Sequence, residues 1–293
     1  MSMIGLMIAM SLSCGVLLTS VSLLQIAREN FQYHHQAALL EDGAAFALEI
    51  IRRTVQQAAQ PPSLTVTSSA SGNSTFMFAD GAVQGVDNAR MSSDTTHIGT
   101  PVVAAVNASD VLAVNLSPID GDTVNCAGLV VPGVASTSLE SGWVFLHIVV
   151  GSDGEPSLHC RYRGQYTWDS QVILSGVEYF QVLFGIDTDG DNLPNQYLSA
   201  SAITEKDQIK PASDPSCWRS VVAVHIALIL RSAADGPKPS SFKNIALFGE
   251  DYANAKNDPG TLVGPDDLAP PVRTRARRYV DTIIFLHKPE NSS

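Results

Sequence analysis

The hydrophobic pattern of the chain begins with a long uncharged segment. Residues 1–27 contain no Asp, Glu, Lys or Arg and are mostly apolar, and the first charged residue is Arg28. A helix of about 20 apolar residues is long enough to cross a bilayer. A cleaved signal peptide would carry a basic start and a small-residue cleavage site. No Lys or Arg precedes this apolar run and no clean A-x-A site follows it. The pattern therefore favours a retained membrane helix over a signal peptide.

The helical pattern continues beyond the apolar segment. Between Arg28 and Ala58 there is no Pro, and apolar residues recur at helical spacing. This stripe consists of Leu40, Ala44, Ala47, Ile51 and Val55, and Leu39, Phe46 and Ile50 are expected to widen it. Pro61 and Pro62 then end the helix, because a residue before proline is disfavoured in helical conformation.

We therefore predict one helix over residues 1–58, about 80 Å long at 1.5 Å per residue. Its first half, 1–27, suits a membrane or a filament core, and its second half, 28–58, packs on the domain that follows. Two helices with a break near Asn30 are the alternative.

The rest of the chain, residues 59–293, has the pattern of a β-rich globular domain. Residues 61–108 are rich in Ser, Thr and Gly and predict loops with two short strands. Strong strand patterns follow at 111–116, 143–150, 177–186, 221–230 and 279–286. In the run 177–186, odd-numbered and even-numbered side chains are expected on opposite faces. Strands and helices do not alternate, which predicts an α+β fold with a long helix on a mainly antiparallel sheet.

Composition narrows the classes of protein. The 293 residues carry a formal charge of -11, and only 16% are charged, against about 25% in typical globular chains. An acidic chain with 18 Lys and Arg argues against nucleic-acid binding, which needs a basic face. A hydrophobic content of 45% argues against disorder.

One acidic loop is a candidate calcium site. Asp187, Asp189 and Asp191 alternate around Gly190, and Asn195 could add a carbonyl oxygen. Hard cations such as Ca²⁺ prefer such oxygen ligands, although the EF-hand template is not met. The alternative is an ordinary polar hairpin loop, which Asp, Gly and Asn favour on backbone grounds. No other cofactor is expected.

Other polar residues do not form a catalytic pattern. The sequence contains no G-x-S-x-G, H-E-x-x-H or P-loop motif. His147 and His225 lie within apolar strands and are expected to be satisfied core residues. Four arginines between positions 273 and 278 could dock an acidic partner, but a solvated strand face is the simpler interpretation. We therefore expect a protein that is not an enzyme, with a membrane-anchored periplasmic enzyme or binding protein as the alternative.

Several segments carry a family resemblance. SMIGLMIAMSL near the start resembles the mature amino terminus of type IV pilins and pseudopilins, and LLEDGAAFALEIIRRTVQQA (39–58) resembles PilW-like minor pilins. Similar blocks of that family follow in order at 154–162, 175–200, 218–232 and 275–288. The resemblance covers the helix and most of the chain from position 126, and is weak between 60 and 110. It implies a pilin-like fold and a structural role in the type IV pilus.

The resemblance also implies which residues assemble the filament, namely Met1, Ile4, Gly5, Leu6 and Met7. Met1 would be the mature, methylated first residue, or else an initiator. The family usually carries Glu at position 5, thought to pair with the terminal amine of the subunit above. A subunit with no neighbour above gains by lacking this costly buried carboxylate. Gly5 therefore predicts a place at or near the filament tip, with drift or close helix packing as the alternative.

The resemblance places a disulfide between Cys126 and Cys160, and an extracytoplasmic compartment permits this bond. Cys217 is left over, either free or paired with one of those two cysteines instead. Cys14 lies within the apolar helix and is expected to be a packed thiol.

The implied partners are other minor pilins resembling PilV, PilX and FimU, a PilY-like tip adhesin and the major pilin. Before assembly the helix would rest in the inner membrane with the domain in the periplasm. Afterwards the subunit would lie in the extracellular pilus. Such a complex would prime assembly and present the adhesin, supporting adhesion and twitching motility. A minor pseudopilin of type II secretion is the alternative among filament proteins.

Overall fold

The structure is a computed structural model that describes residues 3–58, 81–92, 103–116, 123–131, 142–164, 167–211, 214–235, 244–255 and 258–286. Met1 and much of the Ser/Thr-rich segment after the two prolines lie outside these ranges.

The chain opens with helix α1, Met3–Gln56, which runs through Asn30 without interruption. The alternative of two helices is therefore wrong. The buried side chains of α1 are Leu40, Ala44, Ala47, Ile51, Thr54 and Val55, which include the whole predicted stripe. Leu39 and Phe46 do not widen it, since they are 57% and 52% exposed. Ile50 does widen it, because it packs partly buried against the main core.

Strands follow, with short helices between some of them. In the described part of the chain they are β1 Val83–Val86, β2 Ala89–Arg90, β3 Val103–Ala104, β4 Val111–Asn115, β5 Trp143–Val150, β6 Pro156–Arg163, β7 Trp168–Ser175, β8 Val177–Ile186, β9 Gln196–Leu198, β10 Val221–Asp235, β11 Ile245–Ala246, β12 Leu262–Val263 and β13 Arg275–Phe285. The further α-helices are α2 Ala200–Ile209 and α3 Glu250–Ala255.

Two antiparallel sheets form the body of the domain. One has the strand order β1-β4-β5-β6-β7 and the other the order β13-β10-β8-β9. The expected α+β class, a long helix on mainly antiparallel sheets, is confirmed. The sequence patterns did not predict strands β6 and β7. β7 is an edge strand with mostly exposed side chains, so it lacks the apolar run that marks a buried strand.

The second half of α1 packs across both sheets. It contacts β13 and β10 of one sheet and β7 of the other. A β-carbon on Gly43 would lie 3.5 Å from Leu174 of β7 and 3.7 Å from Leu230 of β10. The main core fills the space between helix and sheets with alternate side chains of β5, β8 and β10. A smaller cluster around Trp143 and Phe145 lies on the opposite face of β5.

A β-bulge interrupts the alternation of β8 at Glu178. Tyr179 pairs with Ile229, whereas Val177 pairs with the adjacent Leu230. Because the count slips by one residue, Val177 packs in the main core and Tyr179 in a separate cluster. The expectation that all odd-numbered side chains of this run share a face is therefore wrong at its first residue.

Candidate assembly helix and polar clusters

The amino-terminal half of α1 makes no buried contact with the rest of the described chain. Every side chain from position 3 to 35 is exposed, and the large apolar ones in residues 3–27 are 54% to 86% exposed. The helix is long and apolar enough to cross a membrane by length and composition. Residues 3–27 span about 37 Å, more than the roughly 30 Å of a hydrocarbon core. So much exposed apolar surface favours lipid or other apolar helices over water.

Hydroxyl groups within this apolar half are satisfied by the helix itself. Ser11, Ser13, Thr19, Ser20 and Ser22 each donate to a backbone carbonyl three or four residues earlier, at 2.7–2.9 Å. A hydroxyl bonded in this way brings no unpaired donor into an apolar environment. These five residues are therefore compatible with lipid.

The residues predicted to assemble the filament lie at the exposed end of α1. Ile4, Leu6 and Met7 are 70%, 58% and 73% exposed, and Met1 is outside the described residues. No heavy atom lies within 4 Å of a β-carbon built on Gly5. Packing within this chain therefore does not require glycine at position 5. The roles of these residues in assembly stay predictions.

The disulfide implied by the family resemblance is present. Cys126 and Cys160 are bonded, with their Cα atoms 5.8 Å apart, which attaches the loop 123–131 to β6. The backbone N–H of Val124 in this loop donates to Oε1 of Gln57 just after α1, at 3.3 Å. Cys217 is free and half-buried. Cys14 is free and exposed on α1, and its packing as a thiol among apolar neighbours stays a prediction.

The acidic loop after β8 gathers its carboxylates as the sequence predicts. One oxygen from each of Asp187, Asp189 and Asp191 lies within 4.8 Å of the others. Asn195 joins the group, because its Nδ2 donates to Oδ2 of Asp189 at 3.1 Å.

The same oxygens also accept hydrogen bonds from the loop backbone. Oδ1 of Asp187 accepts from the N–H of Gly190 at 2.6 Å, and Oδ2 accepts from the N–H of Asn192 at 2.9 Å. These bonds, led by that from Gly190, lower the pKa of Asp187. They account for a polar hairpin loop without an ion, and calcium binding stays a prediction.

Two arginines of β13, Arg275 and Arg277, are turned away from solvent into ion pairs and do not form a solvated face. Arg277 donates from Nε to Oε2 of Glu178 at 2.6 Å, and Arg231 reaches the other oxygen of Glu178 at 3.1 Å. Arg231 and Arg275 also bind the two oxygens of Glu155, at 2.7 and 2.6 Å. We call these five residues the Glu178 network. Burial raises the pKa of Glu155, but the hydrogen bonds from Arg231 and Arg275 outweigh it and hold this pKa below its ordinary value.

The other two arginines of the cluster serve the structure locally. Arg278 pairs with Glu41 of α1 at 3.1 Å, with both side chains more than half exposed. Arg273 donates from Nε to the carbonyl of Leu268 at 2.9 Å. One signal in the sequence could have revealed the network: Glu178 is the only charged residue in the apolar run 177–186, and a buried charge needs a partner.

The two strand histidines differ from each other. His225 donates from Nε2 to Oδ2 of Asp281, at 3.0 Å. His147 is 2% exposed, and neither ring nitrogen has a hydrogen-bond partner among the described residues. Burial and then the nearby His159 and Arg161 lower the pKa of His147 to about 3. His147 is therefore a core residue, but the expectation that it is satisfied is wrong.

Comparison with known proteins finds a family match and a similar solved structure. Residues 146–287, from β5 to just beyond β13, match the family described as PilW, Type IV Pilus-assembly protein W. The resemblance that the sequence motifs indicated is confirmed over this span. A type IV-like pilin from Thermus thermophilus aligns with 84% of this chain and 96% of its own, at 12% identity and a TM-score of 0.38. No curated protein matches the chain.

Proposed function

From the match of residues 146–287 to the PilW family, we propose that this protein is a structural minor pilin of the type IV pilus, not an enzyme. The observation that carries the proposal is α1. One continuous helix joins an exposed apolar half to a half that is packed into the globular domain. A helix of this kind can rest in the inner membrane and later pack among other apolar helices in a filament, because both surroundings are free of water.

We further propose that the subunit acts at or near the filament tip, where Gly5 replaces the usual carboxylate. It would associate there with PilV-, PilX- and FimU-like minor pilins, prime assembly of the major pilin and present a PilY-like adhesin. Adhesion and twitching motility would depend on it. The empty space around Gly5 supports this proposal, because glycine is not needed there for contacts within the chain.

The test replaces Leu12, in the middle of the apolar half, with Lys or with Ala in the host cell. We expect Leu12→Lys to leave few or no surface pili, because a lysine at the centre of an apolar helix costs roughly 2.5–3.5 kcal/mol on insertion scales. Leu12→Ala, the matched control, should retain piliation. Immunogold labelling of sheared filaments should find the wild-type protein at their ends.

Normal pili and motility in a deletion strain would contradict the proposal. A secretion defect together with normal pili would indicate a pseudopilin of type II secretion instead. A defect in neither system, with the protein absent from sheared filaments, would favour a periplasmic binding protein or enzyme.

A further inference from the structure

A pocket lies beside β9 and the start of α2. It has a volume of about 400 Å³ and opens between the β1–β2 turn, the start of α2, α3 and the loop at 258–259. Two tyrosine rings, Tyr197 and Tyr252, form part of its wall, and its lining carboxylates are Asp87, Glu205 and Asp258. The pocket therefore combines aromatic surface with negative charge.

Two carboxylates at this pocket accept hydrogen bonds from neutral donors. Asp87 accepts from the backbone N–H groups of Ala200 and Ser201, at 2.9 and 2.7 Å. Asp258 accepts from the hydroxyl of Tyr252 at 2.8 Å. Hydrogen bonds of this kind stabilise a carboxylate but do not pair it with a cation.

A fourth carboxylate, Asp110, is buried and bonded to Asn88 of the pocket lining. It is 3% exposed and accepts from the backbone N–H groups of Asn88 and Val182, at 3.0 and 2.9 Å. Its pKa is raised well above the ordinary value by burial and then by the charge of Asp87. The pKa of Asp258 is likewise raised by burial and by Asp87, despite the hydrogen bond from Tyr252. Burial and the nearby Asp87 therefore both favour the neutral form of Asp110, and they act on Asp258 in the same direction.

Three other buried or half-buried carboxylates have a cation beside them, whereas Asp187 of the acidic loop, like the carboxylates at this pocket, is held by N–H groups. Glu178, Glu155 and Asp207 each pair with an arginine or a lysine. Asp87, Asp110 and Asp258 form no ion pair with any residue of the described ranges. The N-terminus of α2 offsets part of the charge of Asp87, because its first N–H groups donate to that carboxylate.

We propose that this pocket binds an organic cation, the ammonium or guanidinium group of a lysine or arginine side chain presented by a partner protein. The carboxylates Asp87, Glu205 and Asp258 would face the charged group, and the tyrosine rings would cover its alkyl stem. A bare metal ion fits less well, since the acidic loop at 187–191 is the one group of described residues whose acidic ligand atoms converge for a metal. The proposal does not depend on the role of α1 in filament assembly.

Calorimetry on the full-length protein in detergent micelles tests this pocket. The probes are the capped peptide Gly-Lys-Gly, the same peptide with norleucine in place of lysine, and cadaverine as a free diamine. We expect the lysine peptide to bind and to bind at least fivefold more weakly in 0.5 M NaCl, because exposed charge pairs are screened. The norleucine peptide should show no binding.

Substitutions of acidic residues test whether the lysine peptide binds in this pocket. Asp258→Asn, which can still accept from Tyr252, should weaken the lysine peptide at least fivefold, and its combination with Glu205→Gln should weaken it further. Asp42→Asn, which removes an equal charge from the exposed face of α1, should change nothing. Equal binding of the lysine and norleucine peptides, or equal binding by wild type and Asp258→Asn, would overturn the proposal. If cadaverine binds and the lysine peptide does not, the proposal that the cation belongs to a partner protein is wrong.

Discussion

Arg277 and Glu178 form a buried ion pair in which Nε lies 2.6 Å from Oε2, and their side chains are 2% and 3% exposed. A second bond from Arg277 Nη2 to Oε1, at 3.2 Å, makes the contact two-pronged. The pair joins β13 to the bulge of β8 across the intervening strand β10. Arg231 of β10 completes the connection through the same carboxylate.

Removal of the Glu178 charge should strongly destabilise the domain. Glu178→Gln leaves Arg277 and Arg231 buried without their counter-charge, and we expect a loss of about 3–5 kcal/mol in the free energy of unfolding. Glu41→Gln is the matched control, because its pair with Arg278 is exposed and should contribute less than about 1 kcal/mol. Denaturant unfolding of both variants in detergent provides the measurement. Equal effects from the two substitutions would show that the buried network does not hold the sheet.

Loss of the disulfide should destabilise the fold through the unfolded state. The bond closes a loop with a sequence separation of 34, and the chain-entropy model assigns such a loop about 3–4 kcal/mol. We expect the free energy of unfolding of the Cys126→Ala, Cys160→Ala double variant to be lower by roughly that amount. Cys217→Ala should unfold like wild type. Mass mapping without reduction should recover the 126–160 linkage. A free thiol at Cys126 would contradict the observed pairing.

Stability should fall in mild acid because of His147. Its folded-state pKa of about 3 lies below the ordinary value near 6.5, so the unfolded chain binds one more proton between these pH values. This histidine therefore contributes stability that is fully present above pH 6.5 and is lost as the pH falls towards 3. The slope is at most about 1.4 kcal/mol per pH unit for one proton.

A substitution of His147 isolates this contribution. We expect His147→Leu to unfold with a shallower dependence on pH than wild type between pH 6.5 and 4, whereas His34→Gln on the exposed part of α1 should follow wild type. Thermal melts across this range provide the comparison. An unchanged slope in His147→Leu would mean that other groups, such as the acidic residues, control acid unfolding.

Two substitutions in the acidic loop distinguish a calcium site from a structural hairpin. Asp187→Ala should destabilise the hairpin by about 1–3 kcal/mol, because the loop N–H groups lose their acceptor. Asp189→Asn keeps the geometry but removes one charge. If calcium binds, 1 mM CaCl₂ should raise the unfolding midpoint of wild type and raise that of Asp189→Asn less. The absence of heat in calorimetry with millimolar Ca²⁺ would remove the calcium prediction and leave the loop as a structural hairpin.

The position of the subunit in the filament can be tested at Gly5. We expect Gly5→Glu to reduce the number of pili, because at the tip the new carboxylate has no terminal amine above it and lies unpaired among apolar helices. The substitution meets no steric obstacle within the chain, so a folding defect is not expected. Gly15→Ala, also free of contacts in the chain, is the control. Unchanged piliation in Gly5→Glu would count against the tip position.

The periodic elements were predictable because their pattern is local. The stripe at Leu40, Ala44, Ala47, Ile51 and Val55 follows directly from the helical repeat, and the strands β5 and β8 occupy the predicted ranges. The segments that resemble the PilW family are likewise contiguous in the sequence, so they could be recognised without a structure. β7 was missed because an edge strand with exposed side chains has no apolar repeat to detect.

The polar contacts were not predictable in the same way. Arg277 and Glu178 are 99 positions apart, and nothing local marks them as partners. Arg275 and Arg277 alternate with other residues along β13 as on a solvated strand face, and only the bulge in β8 turns Glu178 to meet Arg277. The pocket around Asp258 similarly combines turns and helices from distant parts of the chain.

The amino-acid sequence alone determined the long helix, its division into an apolar and an amphipathic half, the β-rich domain and the resemblance to PilW-like pilins. These features depend on periodic patterns and motifs formed by residues close together in the sequence. The tertiary structure alone decided which charges are buried and paired. Among the described residues, it also left His147 without a hydrogen-bond partner and Asp87, Asp110 and Asp258 without an ion pair. The reason is physical: the energy of a charge depends on its surroundings in space, and these surroundings come from strands and loops far apart in the sequence.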